Sequence, residues 1–385
     1  MELEKYPKTR FGEARRLPGR HAYVAYFPTA IPRALELRQS TVRLLGDAEA
    51  ALGQLAAVGQ LVPNPDLLIR PYLLREALSS TRIEGTRTTM AEVFETDARG
   101  EAPNADVEEV VNYVAAMRWG LKQLGQLPLS TRLLREMHGK LMAGGRGREL
   151  APGELRTSQN WIGAPGSTVE TAEFVPPPPA ELAGLLADWE RFAHEEPEMP
   201  LLVQNALLHS QFETIHPFLD GNGRLGRLLL VFFLVARGRL TAPLLYLSAY
   251  LEMKRGAYYE ALQAIRLAGD PDPWVELFLT AVQSQAVDAV NRARRVVDLR
   301  ERYRATAATL GTPNALALVD LICENPVVTT RSIEERLGVS RPTALRLLAR
   351  MSDQGVLAEE PEGIRGQKRY VAREMMKIVA GDANG

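Results

Sequence analysis

The chain is poor in cysteine and carries almost no net charge. Its 385 residues include one cysteine, Cys323, so no disulfide can form within the chain and a fold held together by disulfides is excluded. No CxxC or HExxH string occurs, and we therefore predict no zinc site. The net charge of −1 excludes a bulk polycation, so any nucleic-acid surface must be local.

Long apolar runs are also missing. The longest, from Leu228 to Ala236, is too short to span a bilayer. The first sixteen residues, MELEKYPKTRFGEARR, are charged and lack the apolar run of a secretory signal. We expect a cytoplasmic protein with no membrane partner, long enough for two or three domains.

Hydrophobic periodicity predicts a mainly α-helical fold with a small β-hairpin. We expect a mostly helical region over residues 1–100, a helical catalytic core over 101–304 and a separate module over 305–385. A charged helix from 283 to 304 would be a rigid connector between the last two. His209 lies at helical spacing among apolar residues, so core packing is predicted for it rather than metal binding.

The most informative string is HPFLDGNGRLGR, residues 216–227. Apolar residues recur at helical spacing on both sides of it, which predicts two buried helices joined by this polar segment. Free N–H groups at the second helix's start would then hold phosphate oxygens. Asp-Gly and Asn-Gly are hairpin-turn dipeptides, but flanking helical periodicity argues against a hairpin. The string therefore predicts a site for a nucleotide polyphosphate.

This string resembles the signature H-x-F-x-D/E-G-N-G-R-x-x-R of the Fic family, and every specified position is filled. The resemblance implies a nucleotidyltransferase that moves AMP from ATP to a Ser, Thr or Tyr hydroxyl of a target protein, itself included. His216 would take the proton from that hydroxyl, and Asp220 would hold Mg²⁺ against the phosphates. The remaining implied nucleotide contacts are Gly221, Asn222, Gly223, Arg224, Gly226 and Arg227.

A second string, STRIEG at residues 80–85, follows a predicted helix with Pro71 in its first turn and Gly85 as its stop. It resembles the S/T-x-x-x-E-G/N inhibitory motif of Fic proteins. By that resemblance Glu84 would pair with Arg227 and hold ATP badly aligned. Ser80, one turn earlier, would hydrogen-bond Glu84.

Residues 153–179 contain two short apolar segments around a Gly/Pro/Ser turn, which predicts a β-hairpin. It resembles the flap of Fic proteins, which pairs its backbone with the target segment. The predicted docking residues are Trp161, Ile162 and Gly163.

Residues 250–259, YLEMKRGAYY, resemble the segment that closes over adenine in the family. Tyr259 is the candidate for contacting the base. This chain has Lys254 and Arg266 at places where the family often has Asn, so no polar adenine contact is predicted.

The last segment predicts a winged helix-turn-helix. Residues 332–337 and 342–351 have helical patterns, with Ser340 as N-cap of the second helix, and 356–357 and 369–371 have strand patterns. Acidic and basic residues nearly cancel in this segment, so both DNA and a protein remain open as partners, and we expect a homodimer. The basic and polar residues that would contact DNA are Arg341, Thr343, Arg346, Arg350, Arg365, Lys368 and Arg369.

Two classes of function remain open. One is a protein adenylyltransferase held back by Glu84, and the other is a DNA-binding transcription regulator whose core only senses nucleotide. The complete signature favours the enzyme, because a sensor has no need of His216. UTP, GTP or CTP as donor and removal of AMP also remain open, and the target protein cannot be identified from the sequence.

Overall fold

Helices make up most of the chain in the computed structural model, which describes residues 1–18, 22–61, 66–100, 102–144, 147–360 and 368–380. The α-helices are α1 (Gln39–Leu61), α2 (Asp66–Ile83), α3 (Met90–Arg99), α4 (Ala105–Gln123), α5 (Thr131–Leu141), α6 (Leu182–His194), α7 (Leu201–Ile215), α8 (Asn222–Ala236), α9 (Ser248–Met253), α10 (Arg255–Ala268), α11 (Asp272–Ala308), α12 (Pro313–Glu324), α13 (Thr330–Leu337), α14 (Arg341–Asp353) and α15 (Arg373–Ala380). The strands are β1 (Gly12–Leu17), β2 (Tyr23–Pro28), β3 (Val327–Thr329), β4 (Ala358–Glu360) and β5 (Arg369–Val371). The predicted mainly α-helical fold is confirmed.

Helices α7 and α8 form the centre of the core. Nearly every residue of both is buried, polar ones included, because other helices surround them. Buried polar side chains find backbone partners: Asn205 Nδ2 donates to Leu230 O at 2.9 Å, which links the two helices. The loop between them is therefore fixed at both ends by packed helices.

The first 35 residues contain a hairpin that the sequence reading missed. Strands β1 and β2 pair antiparallel, from Gly12 with Pro28 to Leu17 with Tyr23. The backbone N–H of Tyr26 donates to Val175 O at 2.9 Å. Tyr6, Tyr26 and Phe174 form an aromatic cluster, so this hairpin supports the segment that follows residue 160.

Two helices differ from their predicted limits. Helix α2 begins at Asp66, so Pro71 lies inside it and not in its first turn. The predicted connector 283–304 belongs to α11, a 37-residue helix that packs along α1 and buries residues over its whole length, from Asp272 to Ala307. One apolar face keeps this charged helix in the core. Its part as a rigid connector to the last segment stays a prediction.

The C-terminal segment has the order α12, β3, α13, α14, β4, β5, α15, with sheet order β3-β5-β4. The second predicted strand corresponds to β5, and the first lies slightly later, at β4. Asn325 Nδ2 donates to Phe94 O at 3.2 Å and to Asp97 Oδ2 at 2.9 Å, and Thr329 Oγ1 donates to Ala98 O at 2.9 Å. The segment is thus fastened to α3. The winged helix-turn-helix and the domain limits stay predictions.

Several predicted contact residues of this segment already have partners. Lys368 pairs with Glu359, and Arg369 pairs with Glu95 of α3 and with Glu360. Arg365 lies outside the described residues. None of the described helices is long and apolar enough to cross a membrane.

Candidate active site

The loop between α7 and α8 is held rigid from inside. Asn222 Oδ1 accepts from Phe218 N, and Asn222 Nδ2 donates to Phe218 O, both at 2.9 Å. Gly221 has φ +76°, and a Cβ on it would overlap Met142 Sδ. The Asn222 side chain therefore closes the loop on itself and leaves its backbone N–H at the start of α8. Its place in a phosphate cradle stays a prediction.

His138 supports the same loop, and the sequence reading did not single it out. Its ring stacks on Phe218 with centroids 3.8 Å apart. Its Nδ1 accepts from Gly153 N at 2.8 Å, so the neutral ring carries its proton on Nε2, which lies 2.9 Å from Asp220 O. Burial lowers the pKa of His138 to about 4, so the ring stays neutral at physiological pH.

His216 ends α7 with φ +49° and ψ +61°. Burial, together with the cations of Arg266 and Arg156, lowers the pKa of its imidazole to about 4. Glu213 Oε2 lies 3.9 Å from His216 Nδ1, and burial raises the pKa of Glu213 to about 7. The imidazole is therefore neutral at physiological pH and able to accept a proton.

The start of α8 offers an anion site. The helix has no side-chain cap, so its first N–H groups carry the partial positive charge of a helix N-terminus. Arg224 lies buried beside it, with Nη2 3.3 Å from Met142 Sδ and 3.4 Å from Asp220 Oδ2, and Nη1 3.7 Å from Glu109 Oε2. Backbone donors and one guanidinium thus converge where phosphate oxygens would lie.

Asp220 is the candidate ligand for a divalent cation. Its side chain is 44% exposed, and Oδ1 accepts from Gly221 N at 2.6 Å. The described residues include no cluster of three His, Cys, Asp or Glu side chains that would bind a metal by itself. One exposed carboxylate suits Mg²⁺, which is usually held by one or two carboxylates together with substrate phosphates and water.

Arg227 is buried and held by the end of α2. Its Nη2 donates to Glu84 Oε1 at 2.7 Å, and the arginine side chain is 1% exposed while the glutamate is 38% exposed. Arg227 Nε donates to Ser80 Oγ at 3.0 Å, and Nη2 donates to Ser80 O at 2.9 Å. Burial opposes ionisation of Glu84, but the charge of Arg227 outweighs it and lowers the pKa of the carboxyl.

The geometry contains the predicted Glu84–Arg227 pair and changes the part played by Ser80. We predicted a hydrogen bond from Ser80 to Glu84, whereas the structure shows Ser80 bonded to Arg227. The arginine has five donors and can bind both residues at once. Gly85 follows with φ +100°, in the left-handed region that favours glycine, which ends the helix where predicted.

Two glycines of α8 allow close approach of side chains. A Cβ on Gly223 would overlap Glu84 Oε1, so the Glu84 carboxylate lies directly over the helix start. A Cβ on Gly226 would overlap Glu213 Oε1 of α7. Gly226 therefore allows α7 and α8 to pack closely, and its nucleotide contact stays a prediction.

Tyr259 and the flap lie at the exposed rim. Tyr259 is 41% exposed, and its ring centroid lies 5.2 Å from that of Tyr258. Burial raises the pKa of the Tyr259 hydroxyl; the charge of Glu84 adds to this rise and that of Arg227 opposes it. Arg266 is buried against Phe174, with its Cζ 4.0 Å from the ring centroid. It therefore packs in the core and does not face an open adenine site.

The predicted hairpin is shorter than expected. Ile162 and Phe174 form a single antiparallel bridge, with N–H to O distances of 2.8 and 3.0 Å, instead of two strands. Trp161 is 42% exposed and donates through Nε1 to Ser167 O at 2.9 Å. Gly163 packs against Ser167, because a Cβ on it would lie 2.8 Å from Ser167 Oγ. Residues 163 to 173 thus form a mostly exposed loop beside the site.

Residues 216–227 thus bring a buried neutral imidazole, an exposed carboxylate and two arginines to one helix N-terminus. Residues 42–122 match the Fic/DOC family N-terminal domain, and residues 128–234 match the Fic/DOC family domain. The chain thus contains a Fic/DOC N-terminal domain and a Fic/DOC family domain.

The chain is similar to curated proteins of the same family. Over 90 residues it is 38% identical to a probable protein adenylyltransferase of Aquifex aeolicus, covering 22% of this chain and 28% of that protein. Over 203 residues it is 30% identical to the protein adenylyltransferase Fic of Drosophila yakuba, covering 51% of this chain and 37% of that protein. The matches thus span only about a third of these relatives.

Solved structures show the same fold. A crystal structure of a Fic family protein from Desulfovibrio desulfuricans superposes with a TM-score of 0.58 at 22% identity, covering 88% of this chain and 97% of that chain. Fic-1 of C. elegans superposes with a TM-score of 0.51 at 20% identity, covering 66% and 73%.

Proposed function

We propose that this protein is a protein adenylyltransferase that moves AMP from ATP to a Ser, Thr or Tyr hydroxyl, and that Glu84 inhibits it. One observation carries the proposal. The neutral imidazole of His216 lies beside a helix start whose Arg227 is held by Glu84 at 2.7 Å. The names of the similar curated proteins support the same reaction.

His216 is the base in this proposal. The target hydroxyl oxygen attacks the α-phosphorus, the bond from that phosphorus to the bridging oxygen breaks, and pyrophosphate leaves. The imidazole accepts the hydroxyl proton. Because burial already keeps His216 neutral, with a pKa of about 4, it is ready to accept a proton at physiological pH.

The start of α8 holds the phosphates in this proposal. The backbone N–H groups of residues 221–223 and the guanidinium groups of Arg224 and Arg227 neutralise the phosphate charge and the charge that develops on pyrophosphate. Asp220 would hold Mg²⁺, which supplies further charge neutralisation when bound. Tyr259 would contact the adenine through its exposed ring.

Inhibition by Glu84 follows from competition for one cation. The carboxylate lies over Gly223, where the phosphates would approach, and it occupies a donor of Arg227. A phosphate and a carboxylate at the same place repel each other. ATP therefore binds without its productive alignment until Glu84 moves away.

The target is a protein that docks along the flap. Trp161 and Gly163 are exposed next to Asn160, which binds the His216 carbonyl, while Ile162 between them holds the flap to Phe174. An exposed edge of this kind suits main-chain pairing with an extended segment of low sequence preference. A segment of the same chain is one such target. DNA, through the exposed face of α14, and a second copy of the chain are further partners of this proposal.

The proposal is tested with ATP labelled on the α- or the γ-phosphate. Wild type, Glu84→Gly and the double variant Glu84→Gly, His216→Ala are each incubated with Mg²⁺ and a cell lysate. We expect α-label on protein with Glu84→Gly, little with wild type, and none with the double variant. Transfer of the γ-label, or α-label that persists without His216, would refute the proposed chemistry.

A further inference from the structure

The backbone of His216 is strained. Its φ of +49° lies in the left-handed region, which residues other than glycine rarely adopt. Such a conformation is unfavourable and persists only where surrounding groups hold it. The groups that bind the His216 backbone therefore set the direction of its imidazole.

Arg156 is one of these groups. Its Nε donates to His216 O at 2.8 Å, and its Nη2 donates to Ile215 O at 3.2 Å and to Pro177 O at 2.5 Å. Its own N–H donates to Pro217 O at 3.0 Å. The guanidinium is buried and caps the carbonyl end of α7, where a cation is favoured by the helix dipole.

Asn160 is the second group. Its Nδ2 donates to His216 O at 3.2 Å and to Phe218 O at 2.8 Å. Asn160 directly precedes Trp161, and the next residue, Ile162, makes the flap's antiparallel bridge. One side chain at the base of the flap thus binds the carbonyls on both sides of Pro217.

We propose that Arg156 and Asn160 are positioning residues for His216, which aim the imidazole at the target hydroxyl and couple it to the flap. A target segment that pairs with the flap then fixes the base at the same time as it delivers the hydroxyl. The inference rests on the proposed function, because it assigns these residues to the same reaction.

The positioning role predicts a change in the pKa of His216, which a purely structural role of Arg156 would not predict. After burial, the cations of Arg266 and Arg156 lower the pKa of His216, while Glu84 and the backbone of Glu213 raise it. Removal of the Arg156 charge should raise that pKa. A lysine at the same position keeps the charge and loses the planar fork that binds four carbonyls, those of Ser158, Pro177, Ile215 and His216.

The test compares Arg156→Lys and Asn160→Ala with a matched control, all in the Glu84→Gly protein. The control is Arg237→Lys, because Arg237 also donates to carbonyls at a helix end, Ala193 O at 3.2 Å and Glu195 O at 3.1 Å, away from the site. We expect kcat for AMP transfer to fall about 10²-fold in both test variants, as expected for a misplaced catalytic group. The KM for ATP should change by less than about twofold, because neither residue is assigned a contact with the nucleotide.

The second readout needs no activity. NMR of the His216 imidazole, assigned by its loss in His216→Ala, should shift in Arg156→Lys and Asn160→Ala and stay in place in Arg237→Lys, and Arg156→Gln should raise its pKa. Folded variants with an unmoved His216 signal, or an equal fall in kcat for Arg237→Lys, would overturn the inference. If even the Glu84→Gly parent transfers no AMP, the proposed function fails, and the NMR result decides the positioning role alone.

Discussion

Replacing Glu84 with Gln removes the charge of the inhibitory carboxylate and keeps its shape. At a separation of about 4 Å between charge centres, a unit pair at the protein surface interacts by about 4 kcal/mol before solvent screening. Glu84 is 38% exposed, so screening reduces this value, and we take about 1–3 kcal/mol for the pair. In the Glu84→Gln protein, this interaction energy no longer has to be overcome before Arg227 can bind a phosphate.

The expected result is therefore a rate of AMP transfer about 5- to 150-fold above wild type for Glu84→Gln. The unfolding free energy should fall by about 1–3 kcal/mol, because the buried charge of Arg227 loses its anionic partner and keeps only neutral acceptors, the amide oxygen at position 84 and Ser80. Initial rates at saturating ATP and urea unfolding measure the two quantities. Glu252→Gln is the control, since that glutamate lies 4.0 Å from Arg82 on the exposed side of α2. Faster transfer without loss of stability, or lost stability without faster transfer, would refute this reasoning.

Three further outcomes are expected. The pKa of His216 is lowered to about 4, so kcat/KM of the Glu84→Gly protein should not fall around pH 6.5. It should fall only as the pH drops toward about 4. A loss of activity with a midpoint near pH 6.5 would contradict the buried imidazole. Asn222→Ala should lower the unfolding free energy by about 1–3 kcal/mol in urea, because the two backbone groups that it binds become unsatisfied. In Asn325→Ala, the lost hydrogen bonds to α3 should lower it by a similar amount. An effect below about 0.5 kcal/mol in either variant, the range of ordinary surface substitutions, would show that these hydrogen bonds do not hold their segments.

The sign of the pH effect on stability follows from Glu213. Burial raises its folded pKa to about 7, so the folded state binds the proton more tightly than the unfolded state. This contribution to stability is fully present below the ordinary carboxyl pKa and is lost as the pH rises toward about 7. Urea unfolding from about pH 4.5 to 7 should therefore show a steeper decline for wild type than for Glu213→Gln. Equal slopes would contradict the raised pKa.

Local patterns made part of the site predictable. The two helices around residues 216–227 follow from apolar residues at helical spacing, and the pairing of Glu84 with Arg227 was expected from two short motifs. The helices depend on residues that are close in sequence, and the ion pair was expected from two motifs in which each residue has a fixed position. The main helices and the buried loop between them could therefore be predicted.

The remaining features depend on contacts between distant parts of the chain. Arg156 binds carbonyls about 60 positions away, and His138 stacks on a ring 80 positions away, so no local spacing indicates either contact. Ser80 was assigned to Glu84, one helical turn away, although the buried guanidinium of Arg227 needed more acceptors. The N-terminal hairpin was missed because its strand β1 is rich in charge and lacks a clear alternation.

The most direct test of the central claim is the intact mass of the Glu84→Gly protein after incubation with ATP and Mg²⁺. The account predicts an increase equal to one or more AMP groups, absent in the same protein with His216→Ala and weak in wild type. An unchanged mass in Glu84→Gly under conditions where calorimetry shows ATP binding would contradict it, and the chain would then bind nucleotide without transferring AMP.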